Sequence, residues 1–426
     1  MVGSVSERRA RRPLLSPSGL GRGRVAVYAG VALLITAWTL AIVYIAVSVV
    51  PIDHYLISYY VVDYRFGFTR RGLAGEIVGN VSDAGFFANA YLMRWISTAV
   101  YVLGLAALAY KLLRKRRSER RIMVALLLAV LPFGIPYAVY SARPDLFGAV
   151  ALIILCLALT AVSRARSMVL CCGLFGAVIA VLALMHEGMA LEFGLGAILA
   201  ILVLGRGLPA SAQRLGAALT IGPGLIVALI VAAFANHDVS GKVCSTVPHR
   251  MIETPFASIK SFPDLIAYFT GAVHSDADYH DWVCGWYLST FDHTVTDGIR
   301  EVAAVGLPAL VGSFVLGVVG VALTLRAVSY FSGVSLRSFV GELNGRYALP
   351  AAGALLMVPL FITGVDWTRW LLVVAFDVVV VYVLYANGRP EIDETPPKRA
   401  ERLFPLVALG FMLIPLGLAP GGGSTR

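Results

Sequence analysis

Residues 168–205 read MVLCCGLFGAVIAVLALMHEGMALEFGLGAILAILVLG, an apolar stretch interrupted by Met185-His186-Glu187-Gly188. A membrane-spanning helix needs about 20 apolar residues, so this stretch is too long for one span and short for two. The polar pair His186 and Glu187 in its middle favours two short helices that meet at a polar tip. The stretch therefore predicts a membrane protein that crosses the bilayer more than once.

The rest of the chain has the same character. Of its 426 residues, 58% are hydrophobic and only 14% are charged, and the mean hydropathy is +0.80. The hydrophobic fraction exceeds that of soluble domains, and it predicts an all-α, polytopic transmembrane helical bundle. We expect about eleven spans, at roughly 27–50, 89–110, 122–140, 145–162, 168–185, 188–205, 216–235, 302–325, 347–363, 370–387 and 403–420.

Basic residues indicate how the bundle is oriented. Most of the 35 lysines and arginines precede the first span or lie in alternate loops, with a dense group at 111–121. The positive-inside rule assigns this side to the cytoplasm. We interpret the net charge of +10 as a topology signal that touches anionic membrane lipids, not as a nucleic-acid surface. The expected organisation is a basic cytoplasmic tail (1–26), a transmembrane domain (27–420) with large extracytoplasmic loops at 51–88 and 236–301, and a flexible tail (421–426).

Polar residues gather on the predicted extracytoplasmic side. Such residues are costly near hydrocarbon, so a one-sided gathering indicates a functional site. The candidates are Asp53, Asp63, Arg65, Arg70, Arg71, Arg143, Asp145, His186, Glu187, Asp366 and Arg369.

The strongest local pattern is DYRFGFTRRGLAG, residues 63–75. Arginine forks match phosphate oxygens, and glycines let backbone N–H groups approach an anion. Asp63 would accept a proton from an incoming hydroxyl, and Asp53 is the second candidate for that role. The alternatives are an interfacial helix whose arginines reach lipid headgroups and, for Asp53, an ordinary polar helix end.

Two further polar groups follow the same logic. Arg143 lies at the predicted outer face although the topology signal favours arginines on the cytoplasmic side, and this exception suggests that it binds an anion. Asp145 has a second explanation, because an acid is favourable at the N-terminus of a helix. His186 and Glu187 are either a substrate-binding pair or a buried pair that fixes the helical break.

The segment 366–370, Asp-Trp-Thr-Arg-Trp, forms a predicted outer turn. Trp367 and Trp370 would stack on sugar rings while Arg369 binds a phosphate and Asp366 the substrate. The alternative is an interfacial tryptophan belt with a local ion pair.

Cysteine usage fits an extracytoplasmic loop. Cys244 and Cys284 lie near the two ends of the loop 236–301 and are expected to form a disulfide, with two free thiols as the alternative. The histidines and aspartates of this loop have no diagnostic metal-ligand spacing. We therefore assign no metal and no firm cofactor, although a divalent metal is compatible with this composition.

These features together resemble the GT-C superfamily of membrane glycosyltransferases. The shared features are a first span, a large first outer loop with an acid, many spans and an outward-facing site. The resemblance implies a polyprenyl-phosphate sugar donor, a glycan or glycolipid acceptor, and a catalytic base at Asp63 or, less well, Asp53. The chain lacks the Asp-Asp or Asp-Glu start after the first span that several branches of the superfamily have.

The Ala/Gly/Val/Leu-rich spans are also similar to actinobacterial cell-envelope proteins, among which arabinosyl- and mannosyltransferases of this class build the cell wall. The resemblance implies an enzyme of the cell membrane that acts on the extracytoplasmic side with an inverting mechanism. The alternatives are a flippase or transporter of lipid-linked glycans, or a polymerase or ligase of lipid-linked oligosaccharides. No GxxxxGK[ST] motif occurs in the sequence, which disfavours an ATP-driven transporter.

Overall fold

The computed structural model describes residues 22–49, 51, 53–82, 85–254, 261–273 and 275–413. Most of the expected cytoplasmic tail, the tail 421–426 and the end of the expected span 403–420 lie outside the described residues. The described chain is helical apart from one short hairpin, which confirms the all-α class.

Twenty helices are numbered here in chain order. They are α1 Arg22–Tyr44, α2 Asp53–Ser58, α3 Gly72–Val81, α4 Phe86–Lys115, α5 Glu119–Val130, α6 Ile135–Tyr140, α7 Asp145–Leu159, α8 Ala165–Ala183, α9 Met189–Val203, α10 Ala210–Phe234, α11 Ser240–Cys244, α12 Phe262–Phe269, α13 Tyr279–Trp282, α14 Val295–Val305, α15 Leu307–Ser332, α16 Leu336–Gly341, α17 Ala348–Leu355, α18 Val358–Thr363, α19 Trp367–Asn387 and α20 Lys398–Leu413. The hairpin consists of β1 Met251–Glu253 and β2 Asp276–Asp278.

Within the described residues, seven helical segments are long and apolar enough to cross a membrane: α1, α4, the pair α5–α6, α8, α10, α15 and α19. Three shorter apolar segments, Asp145–Leu159, Met189–Val203 and Ala348–Thr363, coincide with other expected spans. A 15-residue helix is only about 22 Å long, short of a hydrocarbon core of about 30 Å. Seven long spans are therefore supported, and the count of eleven stays a prediction.

The polar break predicted at 185–188 separates two helices. Helix α8 ends at Ala183 and α9 begins at Met189, with Gly188 as its N-cap residue. Nearly all of α9 is buried, and so is α19. These two apolar helices form the centre of the bundle because their neighbours cover them on all sides, and no face of α9 is left for lipid. The central position explains how a helix too short to span alone is accommodated.

Small residues bring α8 and α10 into close contact. A Cβ atom on Gly176 would lie 1.8 Å from the carbonyl oxygen of Leu219, and one on Gly224 would lie 2.6 Å from Ile179. Backbones can approach this closely only where side chains are absent, which is how helices commonly associate in membranes.

The first loop (residues 51–88) and the second loop (residues 236–301) pack against each other at one end of the bundle. Tyr59 and Tyr60 of the first loop are buried in one apolar cluster with Tyr287 and Phe291 of the second. The first loop contains two short helices, α2 and α3. These tyrosines are part of a core that both loops share.

A disulfide between Cys244 and Cys284 joins α11 to the helical turn that follows α13. The bond closes a loop with a sequence separation of 40 residues.

Removing the disulfide with the double substitution Cys244→Ser/Cys284→Ser is expected to lower the free energy of unfolding by about 4 kcal/mol in a chain-entropy picture. Denaturant unfolding of purified protein in detergent measures this loss, with Cys171→Ser, at a thiol that forms no disulfide, as the control. An unchanged midpoint in the double variant would contradict the prediction.

Candidate functional site

Five ionisable side chains meet where α7, α9 and α19 begin and form what we call the buried ion cluster, in which Asp366 is the most exposed member at 22%. One Arg369 nitrogen (Nη1) lies 2.6 Å from Asp145 and 3.8 Å from Glu192, and its Nε lies 3.2 Å from Asp366. Arg143 lies 3.1 Å from the same Asp366 carboxylate. Asp145 and Glu192 are 1% and 0% exposed, and both arginines are 8% exposed. Water is largely excluded here, so the pairs interact more strongly than surface ion pairs do.

A second group of charges lies beside the buried ion cluster and connects the two loops. Arg71 donates two parallel hydrogen bonds to Glu187, at 3.0 and 3.1 Å, and a third to the Tyr287 hydroxyl at 3.3 Å. Arg70 lies 3.8 Å from Glu187 and donates to the carbonyl oxygen of Thr290. We call Arg70, Arg71 and Glu187 the loop arginine group.

Tyr59 connects the two groups. The guanidinium of Arg71 and that of Arg143 each lie 5.3 Å from the centre of its ring. The ring of His186 lies 6.2 Å away, and the hydroxyl of Tyr55 is 3.1 Å from that of Tyr59. Arginines over an aromatic face are held by cation–π attraction. Tyr59 was not among the residues predicted from sequence, because nothing in its local pattern distinguishes it from its aromatic neighbours.

The surroundings fix the charge state of three residues between or at the ends of the spans. Burial raises the pKa of Glu187, but the guanidinium groups of Arg71 and Arg70 outweigh it and hold that pKa well below its usual range. Arg369 and Arg143 likewise keep the pKa of Asp366 low against the effect of burial. Burial and the charge of Arg71 lower the pKa of His186 to about 4. At neutral pH both carboxylates are therefore ionised and the imidazole is neutral.

The cluster retains unused hydrogen-bonding capacity. Among the described residues, both carboxylate oxygens of Glu192, one oxygen of Asp145 and the Nε of Arg143 are buried without a hydrogen-bond partner. Three of these four atoms are carboxylate oxygens, which accept hydrogen bonds from donors such as hydroxyl groups or water.

Four helices direct their N-terminal ends toward these charges. Asp145 is the first residue of α7, Gly188 is the N-cap of α9, Asp366 is the N-cap of α19 and Arg71 is the N-cap of α3. Helix N-termini carry partial positive charge and free N–H groups. These termini and the four arginines offer donors to an anion, while the four acids of the two groups, Asp145, Glu187, Glu192 and Asp366, pair with the arginines.

The structure brings eight of the predicted residues together in these two groups, including some separated by more than 200 positions in the sequence. They are Arg70, Arg71, Arg143, Asp145, His186, Glu187, Asp366 and Arg369. Glu192 joins them one turn into α9.

Asp63 and Arg65 have a different position. They pair with each other at 3.3 Å, with the side chains 24% and 62% exposed. The backbone oxygen of Asp63 accepts a hydrogen bond from Thr69, immediately before the two arginines of the loop group. Asp63 therefore lies near the solvent, on the chain segment that leads into the site. Asp53 is the first residue of α2.

The two tryptophans of the outer turn are packed against the protein. Trp367 contacts Phe314 and Phe361, and its indole nitrogen donates to the carbonyl oxygens of Phe361 and Gly364. Trp370 is buried against Phe361. The guanidinium of Arg369 lies 5.9 Å from the centre of the Trp370 ring. The other aromatic rings that face the arginines of the two groups are Tyr55, Tyr59 and Phe291, and the Tyr287 hydroxyl accepts a hydrogen bond from Arg71.

These observations define a helical membrane protein with a buried, self-paired ion cluster at the loop end of its bundle. Residues 28–412 match the model of the family described as "Uncharacterised membrane protein Rv1490", and the chain belongs to this family. It is 41% identical over 407 residues to "Uncharacterized protein Rv1490" of Mycobacterium tuberculosis strain H37Rv, covering 95% of this chain and 94% of the relative. The match to "Uncharacterized protein Mb1527" of Mycobacterium bovis has the same identity and coverage. No solved structure matches the chain.

Proposed function

We propose that the protein is a glycosyltransferase of the cell membrane that moves a sugar from a polyprenyl-phosphate donor to an envelope glycan or glycolipid on the extracytoplasmic face. The observation that supports this most directly is the convergence of four arginines and four helix N-termini at one end of the bundle. In this proposal the fold is a GT-C-like bundle of about eleven spans with the loop end outside. The mycobacterial relatives agree with the compositional similarity to actinobacterial envelope proteins.

The donor phosphate would bind at the loop arginine group. Arg70 has the looser contact with Glu187, 3.8 Å, whereas the two-pronged fork of Arg71 holds the same carboxylate, so a phosphate would displace Glu187 from that fork. A phosphate entering between them gains two guanidinium groups and the N-terminal end of α3. The polyprenyl chain would then lie along the apolar bundle, where exposed leucines and valines face lipid.

Sugar transfer then needs a base and a stabilised leaving group. An acceptor hydroxyl gives its proton to the Asp63 carboxylate as its oxygen bonds to the sugar carbon. The bond between that carbon and the phosphate oxygen breaks, and the phosphate leaves with the electron pair. Arginines already in place stabilise the charge that develops on it, without the protonation that a poorer leaving group requires. The partly exposed position of Asp63 suits a base that an incoming acceptor must reach.

A second function, transport of a lipid-linked glycan, is favoured by the acids that continue inward from the cluster. Glu192 lies one turn before Gly196, whose N–H donates to Asp377 at 2.9 Å in the middle of α19. Transporters place polar groups along a path between the two faces. Glu192 and Asp377, both fully buried within the bundle, would form the start of such a path.

Purified protein separates these functions. The protein in detergent is given a panel of polyprenyl-phosphate sugars and glycan acceptors, and the lipid products are separated by chromatography. We expect consumption of the donor and release of free polyprenyl phosphate. Donor binding without any turnover across the panel would exclude the transferase and favour the transporter. Boiled protein is the control for spontaneous hydrolysis.

A further inference from the structure

The hairpin of the second loop places two histidines opposite each other. Strands β1 and β2 pair with Met251 opposite Asp278. The ladder continues one residue further, because Tyr279 donates its N–H to the carbonyl oxygen of Arg250 at 2.8 Å. The next pair in this register is His249 and His280. Their rings are stacked, with centroids 4.0 Å apart.

Each of these histidines has a carboxylate on Nδ1. His249 Nδ1 lies 2.7 Å from Asp278, and His280 Nδ1 lies 3.0 Å from Asp281. The Nε2 of His280 lies 3.7 Å from the sulfur of Cys244. In both pairs the ring nitrogen and the carboxylate oxygen are close enough to share a hydrogen bond or to bind one metal ion together.

We propose that His249, His280 and Asp281 form a binding site for a zinc ion. One potential ligand atom from each of the three lies within 4.8 Å of the others. Two imidazoles and a carboxylate are a donor set that Zn²⁺ accepts, with water in the fourth position. Asp278 has the role of an orienting carboxylate: it holds Nδ1 of His249, which leaves Nε2 free for the metal. The site is independent of the proposed sugar transfer.

The covalent frame of the second loop supports this site. The disulfide between Cys244 and Cys284 brackets His280 and fixes α13 against α11. With the sulfurs bonded to each other they are not zinc ligands, so the metal must bind through nitrogen and oxygen. The exposed fractions of His249 and Asp281, 68% and 77%, leave the site open to ions from the solvent.

Zinc titration by calorimetry tests the proposal on full-length protein in detergent, stripped with chelator and kept without reductant. We expect one zinc ion per chain at neutral pH, and a rise in melting temperature with added zinc. His280→Gln and His249→Gln should each abolish both effects, and Asp278→Asn should weaken binding by about 10–100-fold. Affinity should fall as pH drops through the range in which histidine gains its proton.

His293→Gln is the matched control, because His293 lies in the same loop and pairs with Glu301 at 3.1 Å, apart from the hairpin. It should bind zinc as the unaltered protein does. Melting temperatures without zinc show whether each variant is folded. A protein that binds no zinc, or a folded His280→Gln variant that binds it with unchanged affinity, would overturn the proposal.

Discussion

Replacing Arg369 with methionine is expected to lower the free energy of unfolding by about 3–5 kcal/mol, the usual cost of removing one partner from a buried ion pair. The side chain contacts three acids, Asp145, Glu192 and Asp366. Without it, Asp145 loses its nearest counter-charge in a position that is 1% exposed. Denaturant or thermal unfolding of purified protein in detergent measures the loss.

The matched control is Arg300→Met, which removes an arginine from an exposed pair with Asp297 and should leave the unfolding midpoint unchanged. A rescue experiment sharpens the test. In Arg369→Met/Asp145→Leu both members of the closest pair become apolar, so part of the lost stability should return. A single Arg369→Met variant as stable as the starting protein would show that the acids are not held charged by this arginine.

The second large effect concerns turnover. Arg71→Lys is expected to slow release of polyprenyl phosphate about 100-fold, because a single ammonium cannot reproduce the two-pronged fork. Asp63→Asn should reduce turnover by a similar factor if its carboxylate accepts the acceptor proton. Rates measured under single-turnover conditions, with donor binding measured separately, distinguish a slower chemical step from weaker binding.

Arg65→Lys provides the comparison. The Arg65 side chain is 62% exposed, and within the described chain it forms an ion pair with Asp63 only. This variant should keep nearly full activity. Full activity in Asp63→Asn, with Arg71→Lys still impaired, would move the base to another acid while keeping the phosphate site. Full activity in both variants would remove the mechanism.

The sequence predicted that the candidate polar residues lie on one side of the membrane, but it predicted neither their pairing nor the outlying position of Asp63. Arg143 and Asp366, and Asp145 and Arg369, were predicted for the same side of the membrane from hydropathy and charge alone. Their pairing depends on the angles at which α7, α9 and α19 cross, and those angles are set by packing along the whole bundle. Local sequence does not specify these crossing angles.

Tyr59 and Trp370 illustrate the same limit for aromatic residues. Tryptophans next to an arginine suggested sugar stacking, yet Trp370 is buried, with Phe361 and the guanidinium of Arg369 against its ring. Tyr59, which no local pattern distinguished, has two arginines over its ring. Burial of these side chains depends on how the first and second loops pack against each other, and the second loop lies far downstream of the first in the sequence. Sequence pattern identified the helical break at His186 and Glu187 because it interrupts a long apolar run, a signal that needs no knowledge of tertiary contacts.

The long sequence separation inside the ion cluster has a consequence for biosynthesis. Asp145 and Arg369 are 224 residues apart, and Arg143 and Asp366 are 223 apart. While the ribosome is still translating the intervening helices, the two earlier residues have no counter-charge from α19. The bundle therefore cannot complete its interior until α19, the last of the seven long apolar segments in the described chain, has been inserted. A nascent chain that stops before residue 366 exposes unpaired charges within the membrane, and we expect membrane proteases to remove it.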